Sequence, residues 1–292
     1  MGKIMRYRFL RFPEGRTKAA TLSYDDGSCF DLKLAELANQ YHMKVTFNIN
    51  SGYLLGSPDG FHLNAQEVSR YLLGTGHEIA VHGKYHRAPG KVSPLDGIRD
   101  ILECRTELEE QFGILVRGMA YPDSGILEYQ NGASYANIRQ YLMDLGIVYA
   151  RTLGQDNRSF GLPSDWYCWM PTAHHDNPEI FDYIKEFTEA DPNQEYSASR
   201  TPKLFYLWGH SHEFDRNGNW DRFTQICRQL GDREDVWYAT NMEIHDYITA
   251  FRRLVTSADS HIVRNPSAQT VWLLDRNDMP LELKGGSEMF LA

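Results

Sequence analysis

No apolar run in this sequence approaches the roughly 18 residues that a membrane span needs, which excludes a helical transmembrane protein. The opening residues Met1 to Arg11 are basic but lack the continuous apolar segment and cleavage site of an export signal. Arg6 stands where a myristoylation signal carries Ser or Thr. Cysteine is scarce: Cys29, Cys104, Cys168 and Cys227 lie far apart and form no Cys-x-x-Cys pair, so they read as free thiols in a reducing compartment. Positive charge is short as well. Thirty Lys and Arg against 39 Asp and Glu leave a net charge of −9, which argues against a nucleic-acid partner and an anionic membrane surface but not against a neutral substrate such as a sugar. No Gly-x-Gly-x-x-Gly follows the first expected strand, which weakens a dinucleotide site. Internal repeats and low-complexity tracts are absent. The expectation is a soluble, cytoplasmic protein.

What is present is an ordinary globular balance, 42% hydrophobic and 24% charged, in a chain of 292 residues that can bury one large α/β core or two small ones. The 17 Tyr, 14 Phe and 6 Trp suit sugar faces, although core packing is the commoner use of aromatics. Short β-like runs at 19–24, 45–49, 78–82, 118–121, 148–152, 204–209 and 236–240 alternate with stripes of helical period, such as Leu34, Leu37, Ala38 and Tyr41. Asn64 with Glu67, and Ser93-Pro94 with Gly113, have the form of helix caps. Alternating strand and helix implies a parallel sheet, either open and doubly wound or closed as a barrel. Residues 1–260 are expected to form that domain. Residues 261–292, with strand-like 270–274 and 281–283 around Asn277-Asp278, are expected to form a small C-terminal β appendage. Residues 191–201 read as a loop.

In either architecture a site lies at the carboxyl ends of the strands. The polar residues just past them should therefore converge: Asp25 and Asp26, Asn48 and Asn50, His82, Asp123, Arg151 and His210. His174-His175 falls in a long connection and reads equally as a substrate contact or a solvated turn.

Two of these positions carry chemistry. At Asp25-Asp26-Gly27 a β-branched run ends in adjacent carboxylates, which repel unless a metal or a catalytic role holds one ionised. Asp-Gly is also a common turn. His82-Gly-Lys-Tyr-His86 supplies two imidazoles at i, i+4, suited to one face of a helical turn. With Asp26 they make a plausible catalytic zinc set with a position open for water, leaving Asp25 free to take a proton.

Ser23-Tyr24-Asp25-Asp26-Gly27 resembles the Thr-Phe-Asp-Asp-Gly motif of the polysaccharide deacetylases, the carbohydrate esterases related to nodulation deacetylases. The stretch from Gly76 to His86 is similar to that family's second motif, a strand leading into His-x-x-x-His. The resemblance spans about residues 15–250. It implies a distorted (β/α) barrel with about seven parallel strands, and a hydrolase acting on non-peptide C–N bonds that removes an acetyl or other acyl group from the nitrogen of an amino sugar or oligosaccharide. Carried over by position, it implies Asp25 as general base, Asp26, His82 and His86 as ligands of a divalent metal with zinc the first expectation, His210 as general acid, and the Asp123 amide as oxyanion donor.

Two departures stand out. The family's Arg-x-Pro-x-Gly motif meets Ala120-Tyr121-Pro122-Asp123-Ser124-Gly125 here, so its arginine is missing. Arg151, at the next strand end, could supply the charge, although an ordinary surface arginine is the plainer reading. Ser164-Asp165-Trp166 matches only part of the family's fourth motif. Tyr121, Trp208, Trp169 and His175 are candidates to line a sugar subsite, with core packing the alternative for the aromatics; His212 is the nearby rival of His210. The rival functions are hydrolysis of a ureide or small amide, and a carbohydrate-binding homologue without catalysis.

Overall fold

The strand β2 (Lys18–Asp25) is buried along its whole length and organises the fold. It follows the short β1 (Leu10–Arg11) in the computed structural model, which describes residues 9–54, 60–152, 156–196, 199–275 and 277–291. The basic residues 1–8 and residues 197–198 of the expected loop at 191–201 lie outside the described residues. Along β2 the side chains alternate faces. Leu22 and Tyr24 join Leu34, Ala38 and Phe47 in the larger apolar cluster. Ala19 joins Tyr149, Trp169 and Tyr206 in a second one. Thr21, Ser23 and Asp25 share the face of Ala19, so Asp25 ends the strand facing that second set.

Around β2 run β3 (Val45–Ile49), β4 (Glu78–Val81), β5 (Gly118–Ala120), β6 (Tyr149–Arg151), β7 (Ala173–His174), β8 (Lys203–Gly209) and β9 (Val236–Tyr238). The order is β6-β5-β4-β3-β2-β8-β7, with every pairing parallel, in a curled, barrel-like sheet. β9 pairs with β2 along Lys18–Ala20, whereas β3 pairs with it along Leu22–Asp25, so one edge of β2 serves two neighbours in succession. All seven expected strands are present.

The eighth strand, β7, lies in what the sequence presents as a long connection. Its segment spans the gap between the two ends of the sheet. The Trp169 amide donates to the Ala150 carbonyl and the Thr152 amide to Trp169 on the β6 side. On the other side the Thr172 and His175 amides donate to Tyr206 and Trp208 of β8. Too short for any periodicity to reveal, this strap sets His174 and His175 beside the end of β8.

The expected caps are in place. Asn64 accepts from the Gln66 and Glu67 amides while Glu67 reaches back, a reciprocal cap. Ser93 caps the helix Pro94–Phe112, and Gly113 ends it at φ +64°, where a side chain would be strained. The helical turn expected over 82–86 is absent; these residues form a bend, with Gly83 and His86 both at positive φ. Among the described residues no helix is long and apolar enough to cross a membrane.

The C-terminal strands make two small antiparallel sheets. β12 (Val271–Leu274) pairs with β13 (Pro280–Leu283) and with β1. β11 (Ile262–Arg264) lies between β10 (Val255–Thr256) and β14 (Glu288–Phe290).

Candidate active site

Six of the expected strand-end residues, Asp25, Asp26, Asn48, His82, Arg151 and His210, meet at the carboxyl end of the sheet. Asp25 is fully buried. Its Oδ1 accepts from Asn48 Nδ2 at 2.8 Å, and its Oδ2 accepts from the Arg151 guanidinium. Asn48 Nδ2 also donates to Ser23 Oγ, which holds the amide in place. Burial alone would raise the Asp25 pKa, but Arg151, His82 and His210 outweigh it and hold the carboxyl below its ordinary value.

Arg151 is thus not a surface arginine. It is fully buried, with its guanidinium carbon 4.5 Å from the centre of the Trp208 ring. β6 stands four places from β2 in the sheet, so the side chain reaches Asp25 across the curl of the barrel.

Asp26 follows at φ +80°, a left-handed conformation uncommon for a residue with a Cβ. His86 at φ +56° and Asp123 at φ +49° share this feature. Such outliers persist where the surroundings over-determine them, often at functional sites. Asp26 Oδ1 lies 3.5 Å from His82 Nε2 and 3.5 Å from His86 Nε2. His82 Nδ1 is 3.0 Å from the Ala120 carbonyl, which can only accept, so Nδ1 carries the proton and Nε2 presents a lone pair. That Nε2 is buried without a hydrogen-bond partner. Asn50 Nδ2 donates to the His82 and Gly83 carbonyls and fixes the bend between the two imidazoles.

These three donors fit a divalent ion. Bonds of about 2.0–2.1 Å in a tetrahedron place neighbouring ligand atoms about 3.3–3.4 Å apart, close to the separations here. Burial opposes ionisation of Asp26, but His82, with His210 and His86, holds its carboxyl well below the ordinary range. His86 is shifted down, by burial first and then by His82, which favours the neutral ligand form.

His210 follows β8 with Nε2 3.9 Å from Asp25 Oδ2 and 4.0 Å from Asp26 Oδ2. Burial lowers its pKa, but Glu213, Asp25 and Asp26 together raise it to about 9, which favours the protonated ring. Glu213, which the sequence reading missed, lies with Oε2 3.4 Å from His210 Nδ1 and accepts from the His210 amide. The spacing His210-x-x-Glu213 is that of a reciprocal helix cap, and that was its only signal. Ser211, next in the chain, donates to the buried Asp31 and bonds Ser28, tying the Asp26 turn to the His210 helix. His212 is only partly buried, its ring 5.3 Å from that of His210 and 5.4 Å from Phe61.

Other candidates fall elsewhere. Tyr121 is fully buried and its hydroxyl donates to the Tyr167 carbonyl, so it is a core residue rather than a substrate contact. His175 is fully buried, stacked on Phe214 with ring centres 4.0 Å apart, and cannot meet a substrate directly. Trp169 is core. Asp165 caps a short turn through the Tyr167 amide and accepts from Tyr135, a local structural role. The Asp123 side chain faces outward near Lys91, 3.7 Å away, which leaves only its backbone to act. Trp208 is nearly buried, forming a wall against Arg151, His174 and His210.

Residues 12–150 match the family model for polysaccharide deacetylase. Among solved structures, a protein described as a polysaccharide deacetylase from Mycobacterium smegmatis is 16% identical, covering 83% of this chain and 94% of its own, with a TM-score of 0.54. A PuuE allantoinase is 12% identical, over 80% of this chain and 91% of its own, at a TM-score of 0.56. The chitin deacetylase of the fungal pathogen Colletotrichum lindemuthianum is 18% identical over 78% and 88%, at 0.48. No curated protein matches the sequence. The structural likenesses are to the fold.

Proposed function

We propose, from the match of residues 12–150 to the polysaccharide deacetylase family model, that this chain is a metal-dependent hydrolase removing an acetyl or other acyl group from the nitrogen of an amino sugar or oligosaccharide. The observation that carries the proposal is the arrangement of two adjacent aspartates in two environments. Asp26 faces the imidazoles of His82 and His86, while Asp25 faces a buried guanidinium. Pairs of carboxyl groups whose surroundings differ in this way divide labour.

Asp26, His82 and His86 would hold the divalent ion, zinc being the first expectation. When bound, it supplies a Lewis acid for the scissile carbonyl and lowers the pKa of water. Asp25 remains ionised against Arg151 and takes the proton of the attacking water. Two hydrogen bonds leave a carboxylate lone pairs to spare, so its contacts with Asn48 and Arg151 position the base without exhausting it. His210, its pKa raised by Glu213 and the two aspartates and its Nε2 3.9 Å from Asp25 Oδ2, donates to the departing nitrogen. The backbone amide of Asp123 is the proposed oxyanion donor. Arg151 provides the charge that Ala120 cannot, which removes the main reason to regard the chain as an inactive sugar-binding homologue. A cytoplasmic location belongs to the same proposal and is supported by the four free cysteines.

A substrate panel tests this reading. The metal-loaded protein is expected to release acetate and free amine from N-acetylated glucosamine oligomers. Ring opening of cyclic ureides with no acetate release would keep the hydrolase and overturn the sugar substrate.

A further inference from the structure

The strap at β7 and the helix Ser211–Arg216 bring together a second set of ligand-type side chains. The donor atoms of His174, His175, Asp176 and Glu213 all lie within 4.8 Å of one another, on residues that the proposed reaction does not use as ligands. We propose that His175, Asp176 and Glu213 form a second divalent-cation site, separate from that of Asp26, His82 and His86.

His175 carries the argument. It is fully buried, yet neither ring nitrogen has a hydrogen-bond partner among the described residues. A buried imidazole without partners is costly unless something occupies its lone pair. Its Nε2 is 3.3 Å from Glu213 Oε2 and 3.6 Å from Asp176 Oδ1, yet makes no aligned hydrogen bond to either. These separations again approach the edge of a tetrahedron around an ion with bonds of about 2.0–2.1 Å. His82 Nε2, close to Asp26 and equally unpartnered, has the same signature in the first site.

The carboxylates are held for this arrangement by their other oxygens. Asp176 Oδ2 accepts from Asn217 Nδ2 at 3.4 Å, and Glu213 Oε1 is 3.5 Å from Arg216. Arg222 lies 3.9 Å from Asp176 Oδ1 and is itself engaged by the His175 and Asn177 carbonyls. Strand β8 contributes room: a Cβ on Gly209 would stand 2.0 Å from His175 Nδ1, so only glycine lets the ring lie there.

His174 is excluded from the ligand set by its own hydrogen bond. Its Nδ1 accepts from the Asp176 amide, so in the neutral ring Nε2 carries the proton. That Nε2 lies 3.2 Å from Glu213 Oε2 and serves as a flanking donor. One imidazole and two carboxylates suit a borderline divalent ion such as zinc or manganese. Bound there, it would link the strap to the helix behind His210.

Zinc stoichiometry tests the inference independently of any activity. The protein, stripped with chelator and reloaded with zinc, is expected to hold two ions per chain by mass spectrometry. His175→Ala and His82→Ala should each hold one, and the double variant none. Asp176→Asn, a conservative change at a half-exposed position, should weaken the second site at least tenfold in a calorimetric titration if His175→Ala does not fold. One ion in the wild type, lost in His82→Ala and kept in Asp176→Asn, overturns this inference and leaves the proposed function intact. One ion kept in His82→Ala and lost in Asp176→Asn supports it and contradicts the first site instead. Two ions unaffected by either Asp176→Asn or His175→Ala place the second ion elsewhere and overturn the proposal.

Discussion

The guanidinium of Arg151 and the carboxylate of Asp25, 126 residues apart in sequence, form a fully buried ion pair across the barrel. Removing one member of such a pair leaves the other charge buried and alone, which costs about 3–5 kcal/mol. Arg151→Met is therefore expected to lower the unfolding free energy by roughly that amount in urea denaturation. It should also reduce turnover by about 10²-fold or more, the scale of a positioned base. Arg151→Lys restores the charge without the planar fork and should fall between the two. A full-strength Arg151→Met enzyme would show that Arg151 does not position Asp25 for the reaction.

Gly83 turns the chain between the two histidines of the candidate metal set. It sits at φ +70°, and a Cβ there would stand 2.4 Å from Asp100 Oδ2. Asp100 in turn accepts from the Lys84 and Tyr85 amides at 3.1 Å each, so the bend has no slack. Gly83→Ala is expected to cost about 1–3 kcal/mol through crowding alone, with added backbone strain. Because the displaced loop carries His86, zinc affinity should fall with stability, as read by calorimetric titration of the folded fraction.

Glu78 titrates in the folded protein at the other end of β4. Burial raises its pKa to about 7, only partly offset by hydrogen bonds from Tyr149, the Met242 amide and Thr46. The sign follows from linkage. Below about 4.5 both folded and unfolded chains hold the proton, and the group contributes no pH dependence. Between about 4.5 and 7 the unfolded chain has lost it while the folded chain keeps it, so this group makes stability fall as pH rises; above about 7 the effect is constant. Glu78→Gln removes that slope. The difference in urea midpoint between variant and wild type should move in favour of the variant from pH 5 to pH 7 and then level off. A difference independent of pH would show that Glu78 does not titrate in this window.

The alternation of short apolar runs and helical stripes was enough to find seven strands, because β2, β3 and β8 are β-rich segments bounded by turns or caps. It could not find β7, whose two residues have no period and are held as a strand by pairing with β8, while Trp169 earlier in the same segment bonds to the β6 side. Asp25, Asp26, His82 and His86 were legible from spacing. The geometry joining them was not: the two histidines meet through a left-handed bend rather than a helical turn, and φ is not written in a His-x-x-x-His pattern. Arg151 was legible only as a strand-end residue. Its partner is set by the curl of the sheet, a tertiary property, so the plainer expectation of a surface arginine was wrong. Glu213 looked like nothing more than a polar residue in a short helix, and its place among three histidines depends on the strap.

The most direct test of the proposed chemistry is acetate release from N-acetylated glucosamine oligomers by wild type and His82→Ala, with the zinc content of each preparation measured alongside. The expected result is acetate release by the zinc-loaded wild type, lost on chelation and recovered on adding zinc. The His82→Ala protein should stay folded and lack both the first-site ion and turnover. Undiminished acetate release by the metal-free protein or by His82→Ala would contradict a metal-dependent deacylase built on Asp26, His82 and His86.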